Sequence, residues 1–218
     1  MKPNASTHRG WHGRGYLPHC DFPGLIQSVS SHLFDSVPTE VIERWVRELD
    51  NASDKKSHEK LCARIERYAD MGYGCCFLSD ADVAKLVEDA ILHFDGERYD
   101  VLAWCIMPNH FHTLFVQRVG HSMSEILQNW KSYTAHRANA FLRRRGEFWF
   151  PDYFDEYMRT TKQLEATIDY IELNPVTARL ATCREQWLYS SAATSHVDRV
   201  RANRLKFPEV DVTQLPDF

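Results

Sequence analysis

The stretch YDVLAWCIMPNHFHTLFVQ, residues 99–117, decides the fold class. Residues 99–107 are an apolar run of strand length, Pro108-Asn109 is a turn pair, and residues 110–117 read as a second strand, so the pattern predicts a β-hairpin. On a strand, side chains at i and i+2 share a face. His110 and His112 then project side by side, with Phe111, Thr113 and Phe115 on the other face, whereas on a helix the two imidazoles would stand about 200° apart.

Outward from the hairpin the pattern stays regular. Upstream, Val83, Leu86, Val87, Ala90 and Ile91 predict a helix from Asp80 to about His93, followed by a turn at Asp95-Gly96. Downstream, Ser122 followed by Glu125 fits a capping box. The long helix it opens carries Met123, Ile126, Leu127, Trp130, Thr134, Ala138, Phe141 and Leu142 as its apolar stripe and ends at Gly146. Aromatic residues in 148–157 predict another strand, and 161–173 a last helix stopped by Pro175.

Before all of these, Leu25–Phe34 predicts a first strand through Leu25, Val29 and Leu33. Two helices follow, one after Pro38 (Val41, Ile42, Trp45, Val46, Leu49) and one over 56–70 (Leu61, Ile65, Tyr68), joined by the polar NASDKKS. Apart from this helical insertion the order is β-α-β-β-α-β, that of the ferredoxin-like split βαβ fold. The expectation is an α+β domain over 1–218 with a central antiparallel sheet and helices on one face. It has an extended basic arm (1–24), a helical insertion (39–71) and a C-terminal extension (176–218).

Composition sets outer limits. A chain of 218 residues that is 44% hydrophobic and 26% charged can bury a core, which argues against disordered, collagen-like and disulfide-dense classes. No apolar run approaches the roughly 18 residues of a membrane span, and MKPNASTHRGWHGRG lacks the apolar segment of a signal peptide, so a cytoplasmic protein is expected. Six cysteines without a CxxC pair read as reduced packing residues; His19-Cys20 and Cys75-Cys76 are weak metal candidates.

Paired imidazoles on a strand make half of a metal site, since imidazole is a common ligand for divalent ions; the bland alternative is two histidines on a polar sheet face. In DYIELNP, Tyr170 and Asn174 stand at i and i+4 and share a helical face at the edge of the Leu164, Ile168, Ile171 stripe. They are placed either to face the histidines or simply to cover the core edge and cap the helix.

Five segments in this order, MPNHFHTLF (107–115), NWKSYTAHRAN (129–139), FWFPDYFDEYMR (148–159), DYIELNPVTARL (169–180) and WLYSSA (187–192), resemble the REP-associated tyrosine transposases, relatives of the insertion-sequence transposases of the single-tyrosine HUH class. RGYLPH (14–19) and YGCCFLSD (73–80) resemble one branch of that family. The resemblance covers most of the chain, least distinctively over 39–70. It implies an HUH-nuclease version of the ferredoxin-like fold that cuts and rejoins single-stranded DNA near imperfect hairpins of the repetitive extragenic palindrome type.

Carried over by position, His110 and His112 match the metal-binding histidines, Tyr170 the nucleophile that forms a 5′-phosphotyrosine, and Asn174 a third ligand to Mg²⁺ or Mn²⁺. The family's C-terminal motif, here Trp187, Tyr189, Ser190 and Ser191, suits a structural role. One departure is SVSSHL (28–33), where His32 stands in place of a family arginine expected to contact DNA. The resemblance leaves monomer and homodimer open, and a non-cleaving hairpin-binding protein or an unrelated metal-dependent phosphohydrolase are the alternatives.

The net charge of −4 hides a segregated chain. Residues 35–100 hold 16 acidic against 9 basic residues, while the other 152 hold 14 acidic against 17 basic. Arg14 in the arm and Lys131, Arg137, Arg143, Arg144 and Arg145 on and after the long helix are the candidate DNA contacts, with Trp149 and the arm's aromatics as stacking surfaces.

Overall fold

The computed structural model describes residues 8–14, 17–50, 57–211 and 213. A short ribbon of β1 (Gly10–Arg14) and β2 (Leu17–Asp21) precedes β3 (Ile26–His32), α1 (Thr39–Asp50), α2 (Ser57–Ala69), α3 (Ala81–Leu92), β4 (Tyr99–Ile106), β5 (His110–Gln117), α4 (Met123–Phe141), β6 (Phe154–Tyr157), α5 (Thr161–Thr177) and α6 (Val197–Arg204). The four-stranded sheet runs β4-β5-β3-β6, and every pair is antiparallel. This is the strand order of the ferredoxin-like fold, as expected.

The predicted capping box forms: Ser122 Oγ accepts from Glu125 N and Glu125 Oε2 from Ser122 N, each at 3.3 Å. Such a cap stabilises a helix start by about 1 kcal/mol.

Alternation along β5 sorts the core into two layers. Phe111 and Phe115, with Val29 and Trp104, pack under α3 and α4 through Val87, Ile91, Ile126, Leu127 and Trp130. Leu114 and Val116, with Ile26 and Leu102, pack against Leu164 and Ile171 of α5. The expectation of helices on one face is therefore corrected. Strands β4 and β5 are buried at every position, as a sheet covered on both sides requires.

The insertion lies on the α5 side. Ile42 and Leu49 of α1 and Leu61 and Ile65 of α2 bury Phe150 and Phe154, placing α2 beside the half of the sheet that α5 leaves open.

Three further boundaries move. The arm is not a free extended segment, because residues 10–14 and 17–21 pair as an antiparallel ribbon. The last strand is shorter than 148–157: Pro151 lacks a ladder donor, and pairing with β3 begins at Phe154. Helix α5 runs through Pro175 to Thr177, since the proline sits in the last turn and forfeits a single hydrogen bond, while Ala178 N closes onto Asn174 O.

The ribbon is held by a buried charge cluster. His19 contacts Asp155 through Nδ1 and Asp152 through Nε2 at 3.1 Å, and stacks on Tyr153 with centroids 4.2 Å apart. Burial alone would lower its pKa, but hydrogen bonds and charge from the two aspartates outweigh that and raise it from 6.5 to about 9. The resulting stabilisation, on the order of 3 kcal/mol, is fully present below pH 6.5 and is lost as pH rises through about 9. The melting temperature should fall between pH 7 and pH 10 in wild type, and His19→Ala should lower it at pH 7 and flatten that slope. An equally steep slope in the variant would place the alkaline loss elsewhere.

Candidate active site

His110 and His112 are buried, 2% and 1% exposed, on the sheet face between α2 and α5. Their Nε2 atoms approach to 3.1 Å with the rings nearly perpendicular. Asn109 fixes the first ring. Its Nδ2 donates to the carbonyls of Ala69 and Tyr73, both at 2.9 Å, which leaves Oδ1 as the acceptor for His110 Nδ1–H at 2.7 Å. In the neutral ring the proton is then on Nδ1, and the Nε2 lone pair faces the site. Burial, reinforced by the electrostatic influence of His110, drives the pKa of His112 well below its ordinary value, so the His112 ring is neutral.

Helix α5 delivers the other two predicted residues to the same place. Asn174 is buried, with its amide 3.3 Å from His112 Nε2 and Oδ1 lacking a hydrogen-bond partner. Tyr170, 42% exposed, sets its ring edge-on to His112 at 5.4 Å, within the same chain. Burial, with the charges of Glu66 and Asp70 added, raises its pKa, so the phenol is protonated.

Sequence reasoning missed two carboxylates. Asp70, just past α2, brings Oδ1 to 3.4 Å from His110 Nε2. With both histidines it forms a set of three ligand atoms within 4.8 Å of one another. Glu66, one turn earlier, lies 4.0 Å from His112 Nδ1 and accepts from Tyr170 Oη at 3.4 Å and from Ser30 Oγ at 3.3 Å. Burial raises its pKa to about 7, helped by the charge of Asp70 and opposed by the Ser30 bond. A signal existed: Cys62, Glu66 and Asp70 recur at i, i+4 and i+8 beside the Leu61–Ile65 stripe.

These residues fit a divalent cation. Two imidazole nitrogens and a carboxylate oxygen converge within 4.8 Å of one another, and the Asp70 and Asn174 oxygens are buried without hydrogen bonds. Left unpaired, such groups would be costly. Turning the Asn174 amide over would set its oxygen beside His112.

The candidate DNA contacts divide. Lys131 Nζ donates to the carbonyls of Phe150, Pro151 and Asp152, and Arg144 bonds Asn139 and Glu147 O and lies over Phe34 and Phe77, so both brace loops. Arg137, Arg143 and Arg145 are exposed. The Arg14 side chain lies outside the described residues. Trp149 is not a stacking surface: it is buried and donates to Thr134 Oγ1. His32 is buried against Phe150 with a pKa lowered to about 4 by burial, and the nearby charges of His110 and Lys131 lower it too; it presents no cation to DNA.

Among the described residues no helix is long and apolar enough to cross a membrane. In the C-terminal motif, Trp187 Nε1 donates to Ile106 O and Ser191 to the buried Glu172. Arg184 and Arg204 bond the same carboxylate, tying the C-terminal segment to α5.

Residues 79–174 match the model of the family described as "Transposase IS200 like". The fold is similar to a solved structure described as a REP-associated tyrosine transposase bound to a REP hairpin. That match has a TM-score of 0.53 and 18% identity, covering 95% of this chain and 93% of the other. A candidate transposase from Deinococcus radiodurans R1 matches at a TM-score of 0.34 and 16% identity, over 75% of this chain and 96% of its own, too distant to weigh on the fold. No curated protein matches the sequence.

Loss of the Asn109 amide should free the His110 ring and weaken Mn²⁺ binding about 10- to 100-fold, the usual cost of removing a partner that orients a ligand. Calorimetric titration of Asn109→Ala against wild type and His110→Ala measures this. Wild-type affinity in Asn109→Ala would refute the orienting role.

Proposed function

From the match of residues 79–174 to the IS200-like transposase family, in a fold similar to that of a REP-associated tyrosine transposase, we propose that this protein cleaves and rejoins single-stranded DNA beside imperfect hairpins through a covalent bond to Tyr170. The observation that carries the proposal is the meeting, within one chain, of Tyr170 with the buried His110 and His112 pair.

His110, His112 and Asp70, with Asn174 once its oxygen faces inward, are the residues that would hold a divalent ion, Mg²⁺ or Mn²⁺. Such an ion would polarise the scissile phosphate and offset charge developing there. The chain's own groups do the rest. Helix α5, capped by Thr160, carries Tyr170 on a rigid element beside the histidines. Its Oη attacks phosphorus, the P–O3′ bond breaks, and the products are a 5′-phosphotyrosine and a free 3′-hydroxyl. Attack by a 3′-hydroxyl on that linkage reverses the step, so the phosphodiester bond energy is conserved and no nucleotide cofactor is consumed.

Arg137, Arg143 and Arg145 are the exposed cations of the α4 group available to the DNA backbone, and their contribution should weaken with salt. Arg14 stays in the proposed DNA-binding set on the strength of the sequence. Because the tyrosine and the histidines come together in cis, the protein is proposed to act as a monomer.

Purified protein with Mn²⁺ and a single-stranded hairpin oligonucleotide should form an adduct that survives SDS, and Tyr170→Phe should abolish it. An adduct that persists in the variant would refute the nucleophile. Hairpin binding without any adduct over a panel of sequences would favour the non-cleaving binder, and release of a free 5′-phosphate that survives Tyr170→Phe would favour a phosphohydrolase.

A further inference from the structure

The proposed chemistry leaves the phenol proton of Tyr170 without a destination. A phenol with an ordinary pKa of about 10 keeps its proton at neutral pH, so attack on phosphorus requires an acceptor within reach. Asn174 offers a non-basic amide, and the Nε2 lone pairs of His110 and His112 are committed to the ligand set. Among the described residues, the basic group hydrogen-bonded to the Tyr170 hydroxyl is the Glu66 carboxylate, 3.4 Å away and 104 residues distant in sequence. Ser30 of β3 holds the other Glu66 oxygen at 3.3 Å, turning Oε2 toward the tyrosine. Tertiary structure has thus converged three elements, α2, β3 and α5, on one hydroxyl.

We infer that Glu66, contributed by the helical insertion, is the catalytic residue that accepts the Tyr170 proton during strand cleavage. The inference rests on Tyr170 being the nucleophile. As the Tyr170 Oη–P bond forms and the P–O3′ bond breaks, the phenol proton passes to Glu66 Oε2, and the leaving 3′ oxygen takes a proton from water. In rejoining, a 3′-hydroxyl attacks the phosphotyrosine and gives its proton to water, and the departing phenolate recovers its proton from Glu66. The second helix of the insertion and the residue that follows it are on this view part of the catalytic machinery, the helix supplying Glu66 to the nucleophile and its end Asp70 to the ligand set.

The test uses the full chain with Mn²⁺ and a hairpin oligonucleotide that the wild type cleaves. Glu66→Gln keeps the shape and an oxygen able to accept a hydrogen bond, but not the basicity. It should slow adduct formation about 100-fold or more, the usual range for a lost general base, while hairpin affinity stays within about twofold. Replacing Tyr170 by 3,5-difluorotyrosine, a more acidic phenol, should then restore more of the rate in Glu66→Gln than it adds to wild type.

A Glu66→Gln rate within about threefold of wild type, with Tyr170→Phe inactive, would overturn the role of Glu66 and leave the nucleophile standing. A slow variant that the fluorinated tyrosine does not selectively rescue would also overturn it, showing that Glu66 only positions the ring. An adduct that still forms in Tyr170→Phe would instead overturn the premise.

Discussion

The arrangement turns on one side-chain amide. Asn109 sits in the turn between β4 and β5, and both of its amide hydrogens go to carbonyls at the C-terminal end of α2 and just beyond, Ala69 O and Tyr73 O. That leaves its oxygen one possible role, as acceptor for His110 Nδ1–H. A single residue therefore orients a candidate ligand histidine and docks the helical insertion against the hairpin that carries it. Ala69 and Tyr73 bracket Asp70, so the same two bonds hold the carboxylate in front of the imidazole it faces.

The electrostatics of the site follow from that docking. Two buried imidazoles bring their Nε2 atoms together, α2 and the residue after it add Glu66 and Asp70 from one side, and α5 adds Asn174 and Tyr170 from the other. A site of this kind is poorly satisfied by its own hydrogen bonds and well matched to a cation. Tyr170 rests as a phenol whose hydroxyl already donates to Glu66, so the proposed proton acceptor is in place before any phosphate arrives.

Much of this was legible in the sequence because it is periodic. A two-residue strand repeat puts His110 and His112 on one face, and a four-residue helical repeat puts Tyr170 beside Asn174. What escaped depends on contacts between distant elements. Glu66 and Asp70 look like solvated charges on an amphipathic helix until α2 is packed over Phe154 and Phe150. Lys131 and Arg144 look like free cations until the 148–152 loop brings carbonyls to one and aromatic rings reach the other. The expectation of a half-open sheet failed for a reason visible in the residues: VLAWCIM has no polar alternation, the mark of a strand buried on both sides. Pro175 misled in the opposite way, because a proline near a helix end removes too little hydrogen bonding to stop it.

The central claim is that the hairpin histidines, the end of α2 and the tyrosine helix form one cation centre within a single chain. Anomalous diffraction at the manganese edge, from crystals grown with Mn²⁺, tests it directly. A peak is predicted within ligand distance of His110 Nε2 and His112 Nε2, on the side of Asp70 and Asn174 and next to Tyr170 of the same chain. A peak that lacks either histidine, no peak between them at saturating Mn²⁺, or a tyrosine supplied by a second chain would contradict it.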